Sequence, residues 1–255
     1  MSKIRLDRIG EEKENSFGSL MIIINYYSAS NVDIYFPEYD WTFYHSSYKD
    51  FEKGNIKCPY EPRYYGIGYL GEGKYKASVK GKEPRSIITW QGMLQRCYSE
   101  YSLINHPTYD ECFVCNEWLN YQNFAEWYEN NYYECSDGER MTLDKDILIK
   151  SNKIYSPETC VFTPIKINNL FTKCNKTRGE LPIGVTIYKN KFIAQCHDGY
   201  GNNKKLGRFD SVEQAFKAYK EFKETVIKNI AEEYKNEIPY ILYDALYNYK
   251  VEMYD

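Results

Sequence analysis

The sequence predicts an α+β fold assembled from modules. Three observations carry that expectation. Short runs rich in β-branched and aromatic residues, LMIII and VDIYF, lie early in the chain and are punctuated by Gly, Pro and Ser. A strand, a long polar turn, a second strand and a short helical stretch follow one another between 142 and 172. Three short strands then precede a long amphipathic helix between 182 and 234. The expected organisation is a small N-terminal β domain over 1–82 and a central ββα domain with flanking helices over 83–177. A three-stranded sheet plus helix follows over 178–236, with an aromatic helical tail over 237–255.

Taken in order, residues 17–80 read as β, forming a small sheet or barrel. Within them GIGYLGEG matches G-x-G-x-x-G at Gly66, Gly68 and Gly71. A phosphate loop needs a helix opening inside it, whereas EGKYKASVKGKEP follows here, so the stretch reads as a glycine-bearing turn. In EPRSIITWQGMLQRCYSE, Ile87, Trp90, Leu94 and Cys97 fall at helical spacing. YSLINHPTYDECF reads as a loop, and NEWLNYQNFAEWYEN as one helix anchored by Trp118, Phe124 and Trp127. Strands are expected at 142–149 and 160–163, then a helix at 165–172 opened by Pro164.

The last third has the clearest signals. Asn190 and DGYGNN turn two hairpins. Ser211, with Gln214 three residues on, makes a capping box. Val212, Ala215, Phe216, Tyr219, Phe222, Val226 and Ile230 then form an apolar stripe that packs as core. The tail IPYILYDALYNYKVEMYD reads as helical and serves either to dock on the body or to meet a partner.

Net charge is −3, and its distribution is uneven. Tyr98 to Asp146 carries eleven acidic against two basic residues, a balance of −9. Ile147 to Arg178 is +5 and Leu181 to Phe209 is +4. A basic second half suits a phosphate-facing surface. No stretch approaches the roughly 20 apolar residues that span a bilayer, and no apolar leader opens the chain, so an intracellular, cytoplasmic protein without a membrane partner is expected. Eight cysteines in such a chain point to thiols or metal ligands rather than disulfides.

Two segments resemble known families. Trp90, Met93, Arg96, Cys97 and Tyr98 fit W-x-x-M-x-x-R-C-Y. Tyr109, Val114, Cys115, Trp118, Phe124, Leu143, Asp144, Lys145, Tyr155, Ser156, Pro157 and Cys160 continue a pattern similar to phage HNH-type proteins, covering about one third of the chain. From Pro182 to Tyr234, the pieces GV, KFIAQ, LGRFDSVEQAFKAYKEFKE and AEEY resemble the ethylene-response-factor-type (ERF) DNA-binding domain of phage homing endonucleases.

The resemblance implies a nucleic-acid-binding phage protein acting in the cytoplasm of an infected bacterium. If it cleaves, it is a metal-dependent HNH-type DNA endonuclease. Asp144 and Asp146 then fall on one strand face as oxygen ligands for Mg²⁺, with Asn168 or Asn169 of the following helix as third ligand. The hairpin lacks the usual base: His45, His106 and His197 all lie outside it, and Thr159 replaces the family's Asn. An ordinary carboxylate with a pKa of about 3.9 is a weak base at neutral pH. A scaffold that binds without cutting is therefore the favoured reading. Its rival is a degenerate inhibitor whose −9 segment occupies the basic channel of a host defence protein complex.

Cys112-x-x-Cys115 has zinc-knuckle spacing, but no second C-x-x-C pair follows, and buried thiols are the preferred reading. On the C-terminal sheet, Thr186, Tyr188, Lys191, Lys204, Lys205 and Arg208 are the candidate contacts to double-stranded DNA or another nucleic acid.

Overall fold

The computed structural model describes residues 8–172 and 181–253. The chain divides into two compact units, Met1–Asn130 and Asn131–Asp255, in a mixed α and β architecture. The expected module boundary at 177/178 lies outside the described residues.

In the first unit, β1 (Glu12–Glu14), β2 (Leu20–Ser28), β3 (Asn31–Phe36) and β4 (Trp41–Ser46) form an antiparallel meander. Met21, Ile23, Val32, Ile34 and Phe36 are fully buried beneath it with Phe51. The β reading of 17–80 holds only as far as Ser46. A helix, α1 (Tyr48–Lys53), follows, because Ser47 Oγ accepts a hydrogen bond from Asp50 N at 3.1 Å and Gly54 ends the turn at φ 68°. Those caps were legible as S-x-x-D and a following Gly.

Between 55 and 84 only isolated bridges occur, such as Tyr64 with Gly68. A Cβ on Gly68 would fall 2.4 Å from Leu94 Cδ1 and 3.0 Å from the Trp90 ring. The glycines of GIGYLGEG thus serve turns and close packing, and no helix opens among the residues that follow until Arg85.

The helix α2 (Arg85–Tyr98) buries Ile87, Trp90, Met93, Leu94 and Cys97. Trp90 Nε1 donates to Trp118 O at 2.6 Å, and the Trp90 ring meets Tyr121 at 5.5 Å. The stretch expected to be a loop contains α3 (Glu100–Asn105) before the two-residue strand β5 (Phe113–Val114). The single helix expected next is two, α4 (Asn116–Leu119) and α5 (Tyr121–Asn131). Asn120 is extended because Tyr69 bridges there. Tyr69 N donates to Leu119 O, and Tyr121 N donates to Tyr69 O, each at 2.9 Å. Asn120 Oδ1 then accepts from Gln122 N at 3.0 Å and restarts the helix.

The second unit starts with β6 (Met141–Asp144), β7 (Ile154–Tyr155), β8 (Val161–Pro164) and α6 (Ile165–Asn169). β6 pairs antiparallel with β8, Asp144 opposite Val161 and Met141 opposite Pro164. The strand expected over 142–149 therefore stops at Asp144. The three-stranded sheet runs β11-β10-β9, from β9 (Val185–Tyr188), β10 (Lys191–His197) and β11 (Asn203–Phe209). Lys189 and Asn190 both have positive φ, as a two-residue hairpin requires.

One face of this sheet is closed by α7 (Val212–Glu233). Ser211 Oγ accepts from Gln214 N at 3.3 Å, as the capping box predicts. Ala215, Phe216, Tyr219, Val226 and Ile230 of the stripe are buried, with Val185, Ala194 and Cys196 in the same core. The tail forms α8 (Tyr240–Tyr247), whose Leu242 and Leu246 enter that core. Lys220 Nζ donates to Val251 O at 2.7 Å, and Val251 N donates to Glu224 Oε1 at 3.0 Å. No helix among the described residues is long and apolar enough to cross a membrane.

Candidate functional site

Residues directly opposite in an antiparallel pair share a face of the sheet. Lys191 pairs with Tyr188, and Ile193 with both Thr186 and Arg208. The register shifts between Ala194 and Gln195, so Gln195 pairs with Lys205 and Cys196 with Lys204. Thr186, Tyr188, Lys191, Lys205 and Arg208 thus share the face turned away from α7, and all five are exposed. Lys204 falls on the opposite face with buried Cys196, and its ammonium lies 3.8 Å from Asp198 Oδ2. The structure brings five of the six candidates together and separates the sixth. Gln195 and His197 join the five on the same row, and alternation along β10 from Lys191 was the signal for both.

The face combines cations with an aromatic surface. The Arg208 guanidinium lies 5.9 Å from the Tyr188 ring centroid, and Lys189 Nζ lies 5.4 Å from it. Tyr188 stays 51% exposed. Lys191 is ion-paired with Asp210. Long basic side chains around a ring suit phosphate contacts with an adjacent stacking or groove contact.

The carboxylate hairpin is arranged differently from the expectation. Asp144 Oδ1 accepts from Asp146 N at 2.9 Å and from Ile147 N at 2.7 Å. This turn ends β6 and sends Ile147 into the core. Asp146 is therefore off the strand, and the one-face placement with Asp144 is corrected. Lys145, only 7% exposed, places its ammonium 2.8 Å from Asp146 Oδ2, 3.1 Å from Asn152 O and 5.9 Å from the Tyr155 ring centroid. Asn152 Nδ2 donates back to Lys145 O and Ile154 O. Thr159 Oγ1 donates to Ile154 O at 2.7 Å. The residues that carry the family resemblance here, Asp144, Lys145, Tyr155 and Ser156, are knitted into one polar turn. Burial and the neighbouring Asp146 carboxylate push Asp144 up to about 6.

On α6, Asn168 is half-buried and Asn169 exposed. The helix leaves the hairpin at Pro164, across from Met141, while Asp144 sits at the far end of β6. One Asp144 oxygen is taken by two backbone N–H groups and one Asp146 oxygen by the Lys145 ammonium. A divalent cation here would have to draw on the remaining oxygen of each carboxylate. For zinc, Cys112 is buried and Cys115 half-buried, and Cys112 Sγ lies 3.8 Å from Thr108 O. Among the described residues, no three His, Cys, Asp or Glu side chains group as a metal ligand set.

Comparison of the chain with models of known protein families, with curated proteins and with solved structures returns no match.

Proposed function

We propose that this chain is a nucleic-acid-binding protein, related to HNH homing endonucleases, that holds duplex DNA on the exposed face of its three-stranded sheet and does not cut it. The observation that carries this reading is the shared face of Thr186, Tyr188, Lys191, Lys205 and Arg208. The helix α7 covers the other face, so this one is available to a groove or a phosphate backbone. The turn built on Asp144 and Lys145 supports a scaffold role for the hairpin. Fluorescence anisotropy with a labelled duplex tests the surface. Lys205→Ala with Arg208→Ala should weaken binding at least about a hundredfold, since each of the two charged contacts contributes roughly 1.5 to 3 kcal/mol. Unchanged affinity would remove the sheet from the reading.

A second reading has one observation in its favour. A carboxyl that titrates at about 6 is a better base at neutral pH than an ordinary aspartate. In that reading Asp144 draws a proton from water. Incubation of supercoiled plasmid with Mg²⁺ or Mn²⁺ separates the two. Our reading expects no nicked product, and nicking that disappears in Asp144→Ala establishes the second.

A further inference from the structure

A cleft of 630 Å³ opens in the second unit between α6, the β10–β11 turn and α7. Its walls include Lys166 and Asn169 of α6, His197 and Tyr200 of the turn region, and Lys223 of α7, with Glu139. Lys223 is the unusual member. It is 8% exposed and stands at the i+4 position from buried Tyr219 and the i−4 position from buried Ile227. Its stem thus runs through the apolar stripe and its end meets the cleft. Among the described residues no hydrogen bond or ion pair reaches its ammonium. With its stem buried and its end open only to the cleft, this ammonium keeps little water around it, and an anion entering the cleft is its natural partner. Burial pulls its pKa below the ordinary lysine value, and only a Cys196 thiolate would oppose that. That thiol is itself held protonated by burial and supplies no counter-charge.

The rest of the wall suits a phosphate carried on a nucleoside. Lys166 Nζ lies 3.1 Å from Glu233 Oε2 and 4.5 Å from the Tyr200 ring centroid, which fixes a second ammonium beside the ring. Tyr200 is 56% exposed and offers a stacking surface for a base. Its position is set by the turn: Asp198 Oδ1 accepts from Tyr200 N at 2.8 Å and from Asn202 N at 3.1 Å. Asn169 and His197 add polar groups. The volume exceeds a bare oxyanion and falls in the range of small organic ligands, roughly 300 to 1,000 Å³.

We propose that this cleft binds a nucleotide, with the Lys223 ammonium as the buried partner of its phosphate and the Tyr200 ring as the platform for its base. The phosphate comes either from a free nucleotide or from one residue of a strand. The inference stands apart from the sheet reading, because Lys223 is on neither the exposed row nor the carboxylate turn. His197 belongs to both the row and the cleft wall, so a strand lying on the sheet can reach in.

The test is calorimetric titration of the full chain with thymidine 5′-monophosphate and with thymidine, beside anisotropy with a labelled single strand. Thymidine 5′-monophosphate should bind and thymidine should not. Lys223→Met, which keeps the stem, should weaken the phosphate-dependent binding at least about tenfold, the loss expected for one charge-assisted contact. It should also melt no lower than the parent, since it removes an unpaired charge. Asn169→Ala, at an exposed position, is the second variant should Lys223→Met fail to fold, with a smaller loss expected in the same titration. A strand that competes with the mononucleotide and weakens with Lys223→Met identifies the strand as the source. A mononucleotide that binds without such competition identifies a free nucleotide. Equal binding of nucleotide and nucleoside, or no binding of either probe, or binding unaffected by both variants, overturns the proposal. Lys205→Ala with Arg208→Ala should leave the mononucleotide titration unchanged, so the cleft and the sheet fail independently.

Discussion

At Asp144 a carboxylate meets two opposing demands. Two backbone N–H groups favour its charge, while burial and Asp146 disfavour it, and the second pair prevails. The folded-state pKa of about 6 lies above the ordinary value near 3.9, so the folded chain keeps a proton that the unfolded chain has lost. Stability from this group is fully present below about pH 4 and is lost as pH rises through about 6. Asp144→Asn keeps an oxygen for the turn and removes the charge. It should raise stability at pH 7 by about 1 to 3 kcal/mol and flatten the dependence between pH 4 and 6. Urea melts of both proteins at pH 4, 5, 6 and 7 check this, and a variant less stable at pH 7 would show that the charge stabilises the turn. Lys145 is the counterpart: its ammonium is satisfied by Asp146 and Asn152.

Elements show where local signals suffice. The start of α7 is set by Ser211 and Gln214, and Ser211→Ala should lower stability by about 1 kcal/mol, the usual cost of a lost N-cap, readable as a small fall in Tm. Gly184 turns the chain into β9 at φ +76°, and a Cβ there would meet Tyr219 Cδ2 at 2.0 Å. Gly184→Ala should therefore cost more than the cap, through both the left-handed backbone and the clash with α7. Docking of α8 rests on Leu242 and Leu246, 0% and 1% exposed. Leu246→Ala should cost about 2 to 5 kcal/mol in a urea melt, the range for emptying a core leucine site. A loss below about 0.5 kcal/mol would mean that the tail does not stay packed in solution.

For the whole molecule the issue is charge. A chain at −3 is not drawn to DNA by its net field, so any affinity must come from a local basic face. Lys191, Lys205 and Arg208 supply that face, and Lys191 must be drawn from Asp210 to use its charge. Three phosphate contacts predict a slope of log K against log salt of about −3, falling to about −1 in Lys205→Ala with Arg208→Ala. Anisotropy between 50 and about 200 mM salt measures it, the range over which such contacts change affinity most visibly. A slope unchanged in the double variant would place the phosphate contacts elsewhere on the chain.

The sequence by itself determined the elements whose signals are local. The helix α2 follows from its apolar spacing, α7 from its cap and stripe, and the β9–β10 hairpin from Asn190 in a positive-φ turn. Caps, turns and periodicity act within a few residues, so they are written where they operate. Only the tertiary structure decided the rest. Tyr69, some fifty residues upstream, breaks the helix at Asn120, and no propensity at Asn120 encodes that partner. Lys223 reads as an interruption of the α7 stripe until packing shows its stem buried and its ammonium at a cleft. The membership of the exposed row on the three-stranded sheet was decided in the same way. Simple alternation along β11 puts Lys204 beside Arg208, but the register shift at Ala194 and Gln195 gives Lys205 that place. One extra residue in a strand exchanges its two faces, and that residue is set by the partner strand rather than by the strand that carries it.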